Sequence, residues 1–346
     1  MPKCMIGMSG GVDSSVAAYL LKEQGYDCVG VTMRLHGGDG CGAGDDARDA
    51  AELCRRLEIP HEVVDFTAEF DRYVMAPFVA EYEAGRTPNP CIACNRHLKF
   101  QAMWQRAQEL GCDFLATGHY AQVCRGGGRY QLKTAADAAK DQSYVLYFLS
   151  QEQLAHTLFP LGGLTKAQVR EIAREQGFVS AEKAESQDIC FVPDGDYGAF
   201  LERYTGKTYA PGSFLDKDGQ VLGPHKGAVR YTLGQRKGLG IPAATRLYVT
   251  GKDMEKNTVT LGGNAELFTG CLTAAEVHLT GGVPLIDGMP LTAKVRYRQT
   301  AQSCRVFQTG PEEIRVEFET PQRAVTAGQA VVLYDGDTVV GGGTIQ

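Results

Sequence analysis

Nowhere does the sequence hold an uninterrupted apolar stretch of about 18 residues, so no membrane-crossing helix is expected. Residues 1–8 are apolar but run straight into Ser9-Gly10-Gly11, without the longer apolar run and small-residue cleavage site of a secretory leader. A cytoplasmic protein is therefore the expectation. Positive charge is not in excess either: 35 Lys and Arg stand against 41 Asp and Glu, a net charge of −6. A nucleic-acid partner would have to be met by a local basic surface. The eleven cysteines are scattered and odd in number, which speaks against a disulfide framework in a reducing compartment. Metal, redox or catalytic roles are left for a few of them. No internal repeat or low-complexity tract stands out.

What is present suits a folded chain of two or three domains: 346 residues, 43% hydrophobic and 22% charged. The first half alternates two periodicities. Strands are expected at 3–8, 26–35, 62–66 and 114–117, and helices at 14–24, 47–57 and 95–110. Strands separated by helices of this length predict an α/β fold with a parallel sheet covered on both faces, and a site at the carboxyl ends of its strands. Beyond about residue 200 the helical period fades. Short β runs at 291–297, 305–308, 314–318 and 330–334, with turn signals at Asp218-Gly219 and Asp335-Gly336, predict a small sandwich or barrel. The expected division is 1–202 for the parallel-sheet domain, 203–265 for a small, mostly β central domain and 266–346 for a C-terminal β-barrel.

Between the first strand and first helix lies Met8-Ser9-Gly10-Gly11-Val12-Asp13-Ser14-Ser15. Two glycines allow close backbone approach to an anion, and free amides at the helix start, with the serine hydroxyls, supply donors. Asp13 is out of place in an anion site unless a cation joins it, and Mg²⁺ held between carboxylate and phosphates fits. There is no Gly-x-x-x-x-Gly-Lys-Ser/Thr pattern and no Gly-x-Gly-x-x-Gly in this loop, which excludes the common NTPase loop and weakens a dinucleotide site. The string closely resembles the PP-loop of ATP pyrophosphatases, which split ATP between the α and β phosphates and leave an adenylate on an oxygen of the substrate.

Two cysteine segments narrow the field. Asn89-Pro90-Cys91-Ile92-Ala93-Cys94-Asn95 places a thiol at a helix start, where its pKa can fall. The competing reading, half of a structural zinc site, is the weaker one, since no second Cys-x-x-Cys or His-x-x-x-His completes it. Ser186-Gln187-Asp188-Ile189-Cys190-Phe191 carries a cysteine that its apolar neighbours leave evenly balanced between an inert core residue and a functional one. Together with Thr117-Gly118-His119-Tyr120-Ala121, Lys140-Asp141-Gln142-Ser143-Tyr144, Gly234-Gln235-Arg236-Lys237-Gly238-Leu239-Gly240 and the closing Gly341-Gly342-Gly343, these segments resemble the bacterial tRNA-specific 2-thiouridylases over nearly the whole chain.

The resemblance implies roles residue by residue. Gly7, Met8, Ser9, Gly10, Gly11, Val12, Asp13 and Ser14 would cradle the phosphates of ATP, with Met33 and Gly118 lining the adenosine. Cys94 would be the nucleophile, and Cys190 would receive sulfur as a persulfide from a sulfur-carrier or cysteine desulfurase relay. His119, Lys140, Asp141, Gln142, Tyr297, Arg298 and Gln329 would touch a tRNA with a modifiable wobble uridine. The implied reaction is ATP- and Mg²⁺-dependent replacement of that uridine's 2-oxygen by sulfur, through an adenylated base.

Cys91 departs from the pattern: some members carry Asp there, so no acid/base role transfers to it. With Cys94 and Cys190 it could instead hold a [4Fe-4S] cluster, as in some thiolating PP-loop enzymes. The basic string His225-Lys226, Arg230, Arg236-Lys237, Arg296 and Arg298, set among Tyr231, Tyr248 and Tyr297, fits phosphates and stacked bases, or else an ordinary solvated face. Two other classes compete: a PP-loop ligase or amidotransferase acting on a small molecule, and a non-catalytic RNA-binding protein with zinc on Cys91 and Cys94.

Overall fold

A computed structural model describes residues 1–36, 44–182 and 189–346. The first half contains strands β1 (Lys3–Gly7), β2 (Asp27–Arg34), β3 (His61–Asp65), β4 (Phe114–Ala116), β5 (Gln122–Gly126), β6 (Arg129–Lys133) and β7 (Thr157–Leu158). Five of them form a wholly parallel sheet in the order β3-β2-β1-β4-β7. The alternation of a pleated strand explains the centre of this sheet. Cys4 and Ile6 face one core with Val16, Ala17 and Leu21 of α1 (Val12–Glu23) and Ala50, Leu53 and Cys54 of α2 (Gly44–Arg56). Met5 faces the other core with Phe70, Phe78, Leu98 and Met103. Both faces of β1 are covered, so its sequence is apolar without a break.

The second face is covered by two helical runs. One passes through Thr67–Phe70, Asp71–Met75 and Ala76–Glu83, the other through Pro90–Ala93, Cys94–Ala102 and Met103–Glu109. The first run was not foreseen from the sequence. The second starts five residues earlier than the expected 95–110, because Asn89 caps it and Pro90 fills its first position. Both runs carry a wide π turn in the middle, at Asp71–Met75 and Cys94–Ala102, which blurs the 3.6-residue period.

The central region is a four-stranded sheet of β8 (Gly212–Leu215), β9 (Val221–His225), β10 (Tyr248–Asp253) and β11 (Thr258–Gly262), in the order β10-β11-β8-β9. Phe214, Ala228, Tyr231, Leu239, Val249, Val259 and Leu261 fill its own core. The last region has β12 (Phe268–His278), β13 (Met289–Lys294), β14 (Gln302–Gly310), β15 (Glu313–Arg323), β16 (Ala330–Asp335) and β17 (Thr338–Ile345). Pairing of β12 with both β15 and β17 closes these six into a barrel, resolving the choice between sandwich and barrel. The β5–β6 hairpin of the first region pairs with β17, so the barrel is joined to the parallel-sheet unit by backbone. The strand expected at 291–297 stops at Lys294. There Gln299 bonds back to the Val295 amide (3.0 Å) and the Arg296 carbonyl (3.1 Å), placing Arg296, Tyr297 and Arg298 on a turn. Among the described residues no helix is long and apolar enough to cross a membrane.

Candidate active site

The strand order reverses between β1 and β4, the place in an open parallel sheet where a ligand crevice forms. The glycine loop leaves the end of β1 and Thr117-Gly118-His119 leaves the end of β4. The two touch: a Cβ on Gly118 would stand 2.9 Å from both the Asp13 carbonyl carbon and the Ser14 amide nitrogen, so only glycine allows this approach. Ser14 Oγ accepts from the Ser9 amide (3.2 Å) and donates to the Gly11 carbonyl (3.1 Å), which folds the loop around its own helix start. Ser15 donates to the same carbonyl at 2.9 Å and is held by Ser180. Met8, Gly10, Val12 and Ser14 are buried, whereas Ser9 is exposed. Met33 lies one residue from the end of β2 and packs against the large core. The residues expected to meet ATP are thus gathered at one end of the sheet.

Asp13 has a partner that the sequence did not reveal. Lys166 lies 2.7 and 2.8 Å from its two carboxylate oxygens, and the Tyr120 hydroxyl donates to Oδ1 at 2.7 Å. The cation that Asp13 demanded is therefore supplied by the protein, and Mg²⁺ would have to share the carboxylate with Lys166. Lys166 is 9% exposed and opens the helix Lys166–Glu175 behind a Thr165/Gln168 capping box. A buried lysine at a helix start, where the dipole disfavours a cation, is the signal that could have found it.

From Asp13 a line of hydrogen bonds leads toward the cysteine segment. The Tyr120 amide donates to Gln142 Oε1 at 2.8 Å. Gln142 hydrogen-bonds the Tyr297 side chain, and Tyr297 is close enough to Asp141 and Cys91 for their charges, after burial, to push its phenol up. Cys91 is exposed in the first turn after the Asn89 cap, whose side chain accepts from the Cys91 amide at 3.2 Å. Cys94, one turn on, and Cys190 are both partly buried and pack against the same core, with Ile92, Ala93 and Ile189. Ser186, Gln187 and Asp188 of the second cysteine motif lie outside the described residues. Among the described residues, Cys91, Cys94 and Cys190 included, no three His, Cys, Asp or Glu side chains gather as a metal site. Among the described residues the three thiols do not gather as a cluster site, and Cys91 and Cys94 have no further ligands there to complete a zinc site.

Three of the residues expected to meet tRNA make hydrogen bonds within the protein. His119 is buried between Phe100 and Phe159, with Nδ1 2.7 Å from Thr117 Oγ1. Burial, then the Lys99 charge, holds its imidazole well below the usual range. Asp141 is buried and accepts from the amides of Ala135 and Ser143, the Ser143 hydroxyl and Lys294 Nζ (3.1 Å). Gln329 Nε2 donates to the Thr87 and Pro88 carbonyls at 2.7 and 3.3 Å, so the barrel grips the backbone just before Asn89. Lys140 is half-buried, and Tyr297 and Arg298 are exposed.

The basic string divides in the same way. His225 and Tyr231 are buried against Phe214, and Arg230 pairs with Asp196 and Glu202. Lys226, Arg236, Lys237 and Arg298 remain exposed.

Comparison with known proteins agrees with this architecture. Residues 2–194 match the tRNA methyl transferase HUP domain, 198–263 the tRNA methyl transferase PRC-barrel domain, and 269–345 the aminomethyltransferase beta-barrel domain. The tRNA-specific 2-thiouridylase MnmA of Lachnoclostridium phytofermentans is 50% identical over 100% of this chain and 99% of its own. That of Clostridium acetobutylicum is 47% identical over 99% of each. Among solved structures, the U34-tRNA thiolase NcsA from Methanococcus maripaludis with its [4Fe-4S] cluster is 21% identical, covering 59% of this chain and 66% of its own at a TM-score of 0.36. So partial a superposition says nothing about a cluster here. Full-length identity near one half, with all three regions matched in order, places the chain in the family of tRNA-specific 2-thiouridylases, PP-loop enzymes that transfer sulfur to a uridine of tRNA.

Proposed function

We propose that the enzyme uses ATP to adenylate the 2-oxygen of a wobble uridine and replaces it with sulfur carried as a persulfide on Cys190. The observation that carries this reading is the hydrogen-bonded line Asp13–Tyr120–Gln142–Tyr297, which runs from the phosphate loop to a tyrosine whose phenol feels the charge of Cys91. A uracil oxygen is a poor leaving group. Attack of O2 on the α-phosphorus of ATP expels pyrophosphate and makes AMP the leaving group. The loop amides and Ser9 would hold the phosphates, and Lys166 lies where it can pass from Asp13 to the departing pyrophosphate. Tyr297 and Gln142 would frame the base, which must leave the anticodon stack to be reached. His119, Asp141 and Gln329 would act from behind, fixing the walls against which the tRNA is placed.

In the sulfur step the Cys94 thiolate attacks the inner sulfur of the Cys190 persulfide. Sulfide leaves, adds at C2 and displaces AMP, while Cys94 and Cys190 are left as a disulfide for an external dithiol to reduce. In a second order of events the persulfide's outer sulfur adds at C2 first and Cys94 then releases it, with the same products. Both orders need a sulfur-carrier or desulfurase relay to reload Cys190.

The test is mass spectrometry of wobble nucleosides after incubation with ATP, Mg²⁺, tRNA and a sulfur source. The wild type is expected to form 2-thiouridine and to release pyrophosphate only when tRNA is present. Cys94→Ser and Cys190→Ser are each expected to form none, while tRNA-dependent pyrophosphate release continues. Wild-type thiolation by either variant removes that residue from the scheme. Pyrophosphate release without tRNA would favour a small-molecule substrate.

A further inference from the structure

The residue after Cys94 is a buried amide to which the scheme above gives no part. Asn95 is 2% exposed. Its Nδ2 donates to the Val145 carbonyl at 3.2 Å. Its Oδ1 is buried too and accepts no hydrogen bond among the described residues. A buried polar atom without a partner lowers stability, and a leucine, such as fills the same core at Leu98 and Leu146, would carry no such penalty. The amide therefore stands there for the one bond it makes.

That bond leads to the phosphate loop. Val145 lies in the short turn Ser143–Leu146, whose four residues are all buried. Its amide donates to the Gln142 carbonyl at 3.1 Å. Gln142 is bound to Tyr120 twice: its amide donates to the Tyr120 carbonyl at 2.8 Å, and its Oε1 accepts from the Tyr120 amide at 2.8 Å. The Tyr120 hydroxyl donates to Asp13 at 2.7 Å. Hydrogen bonds thus join the residue beside Cys94 to the glycine loop, and none of the side chains on the way is exposed.

The segment that carries Cys94 is unusual enough to need such a tie. Cys94 opens the wide π turn Cys94–Ala102, and the helical run beside it is wide as well, at Asp71–Met75. Turns of this kind are rare and recur at functional sites. Ahead of the turn the chain is held by the Asn89 cap and by Gln329 on the Thr87 and Pro88 carbonyls. Within it His97 stacks on Tyr73, with ring centres 4.8 Å apart. Asn95 adds a bond toward the wall of the site that holds Gln142.

We propose that Asn95 is a positioning residue for the sulfur step: through Val145 it keeps Cys94 in a set place relative to Gln142 and Tyr120, so that a base adenylated at the phosphate loop already faces the thiol. This rests on the proposed thiolation and adds the part that couples its two halves. Adenylation needs no thiol. If Cys94 is displaced, pyrophosphate still leaves, but the adenylate waits. Water then adds at C2 in place of sulfide, AMP departs and uridine is restored. Each such cycle consumes ATP and places no sulfur.

The experiment counts pyrophosphate released per 2-thiouridine formed by the full-length enzyme with tRNA, ATP, Mg²⁺ and a sulfur source. Wild type, Asn95→Leu and Asn95→Ser are compared, with unfolding midpoints measured alongside. A misplaced reacting group can lose a hundredfold in rate, so the ratio is expected to rise from about one in the wild type to about ten or more in both variants. Pyrophosphate release itself is expected to stay within about twofold of the wild type. A wild-type ratio in either folded variant overturns the proposal. So does a parallel fall of both products, which would make Asn95 a support of the whole site, and so does failure of both variants to fold, which would make it a core residue. A wild type that forms no 2-thiouridine and releases no tRNA-dependent pyrophosphate overturns the functional reading instead.

Discussion

Lys166–Asp13 and Lys294–Asp141 are the same chemical pair in two settings, each joining residues 153 apart in sequence. At the glycine loop, Asp13 keeps 34% of its side chain exposed and accepts from Lys166 and Tyr120. At the junction of sheet and barrel, Asp141 keeps 4% and accepts two amides, a hydroxyl and a lysine, so its lone pairs are spent. The first pair is partly open to solvent, and on the proposed reading an incoming phosphate would need only that Lys166 change one anion for another. The second has no such freedom. It fastens β13 of the barrel to the 140–144 segment, and through that segment fixes Gln142 and Tyr144 beneath Tyr297. On the proposed reading one pair would serve the chemistry, whereas the other joins the barrel to the parallel-sheet region.

The comparison breaks first at Asp13. Asp13→Ala is expected to abolish tRNA-dependent pyrophosphate release, because Lys166 and any Mg²⁺ lose their organiser, while tRNA affinity and the melting midpoint change little. A variant that releases pyrophosphate at the wild-type rate would show that the loop pair is merely structural. Asp141→Ala should do the reverse. Removing one member of a buried pair leaves the other charge stranded, at a cost of about 3–5 kcal/mol, readable as a shift in denaturant midpoint. Adding Lys294→Met should recover much of that loss, since no charge is then stranded. If the double variant is as unstable as Asp141→Ala, the backbone bonds of Asp141 matter and the ion pair does not.

The contrast also separates what could be read from the sequence from what could not. The loop was legible because strand, glycines and helix are consecutive, and the buried strand shows itself by an unbroken apolar run. Lys166 was not, because pairing at such a separation leaves no periodic trace; only its position just inside a helix cap hints at it. The run at 67–83 was hidden by a π turn and by Pro77 in its interior, which reads as a break until it is seen to open the segment Ala76–Glu83. His225 and Tyr231 misled in the other direction. Basic and aromatic letters look like an RNA surface, but which way a strand faces is decided by Phe214 and the core around it. Asp141, expected at the RNA, sits inside for the same reason: a motif fixes which residues matter, while burial decides whether they touch a ligand or hold up those that do.

A third lysine sharpens the comparison with the smallest effect. Lys252, on β10 of the central sheet, is mostly buried, donates to the Tyr231 carbonyl at 2.8 Å and has no carboxylate partner among the described residues. Burial alone brings its pKa down from 10.5 to about 8. An unfolded lysine near 10.4 keeps its proton across that interval, so between about pH 8 and 10.4 the unfolded chain binds more protons than the folded one. Stability contributed by this group therefore rises with pH through the interval. Below about pH 8 the burial penalty is present in full, and above about 10.4 it is gone. Lys252→Met removes the charge and the one hydrogen bond. At pH 7 it should stabilise the chain by about 1–2 kcal/mol, what remains of the burial penalty after a hydrogen bond worth about 1 kcal/mol is lost. The difference between variant and wild type should shrink as pH rises from 8, and reverse near 10 when only the lost hydrogen bond counts. Midpoints of chemical unfolding at pH 7, 8.5 and 10 measure it, with groups common to both proteins cancelling in the difference. A gap that stays constant with pH would mean that Lys252 keeps its proton in the fold across the whole interval, and the burial argument would fall.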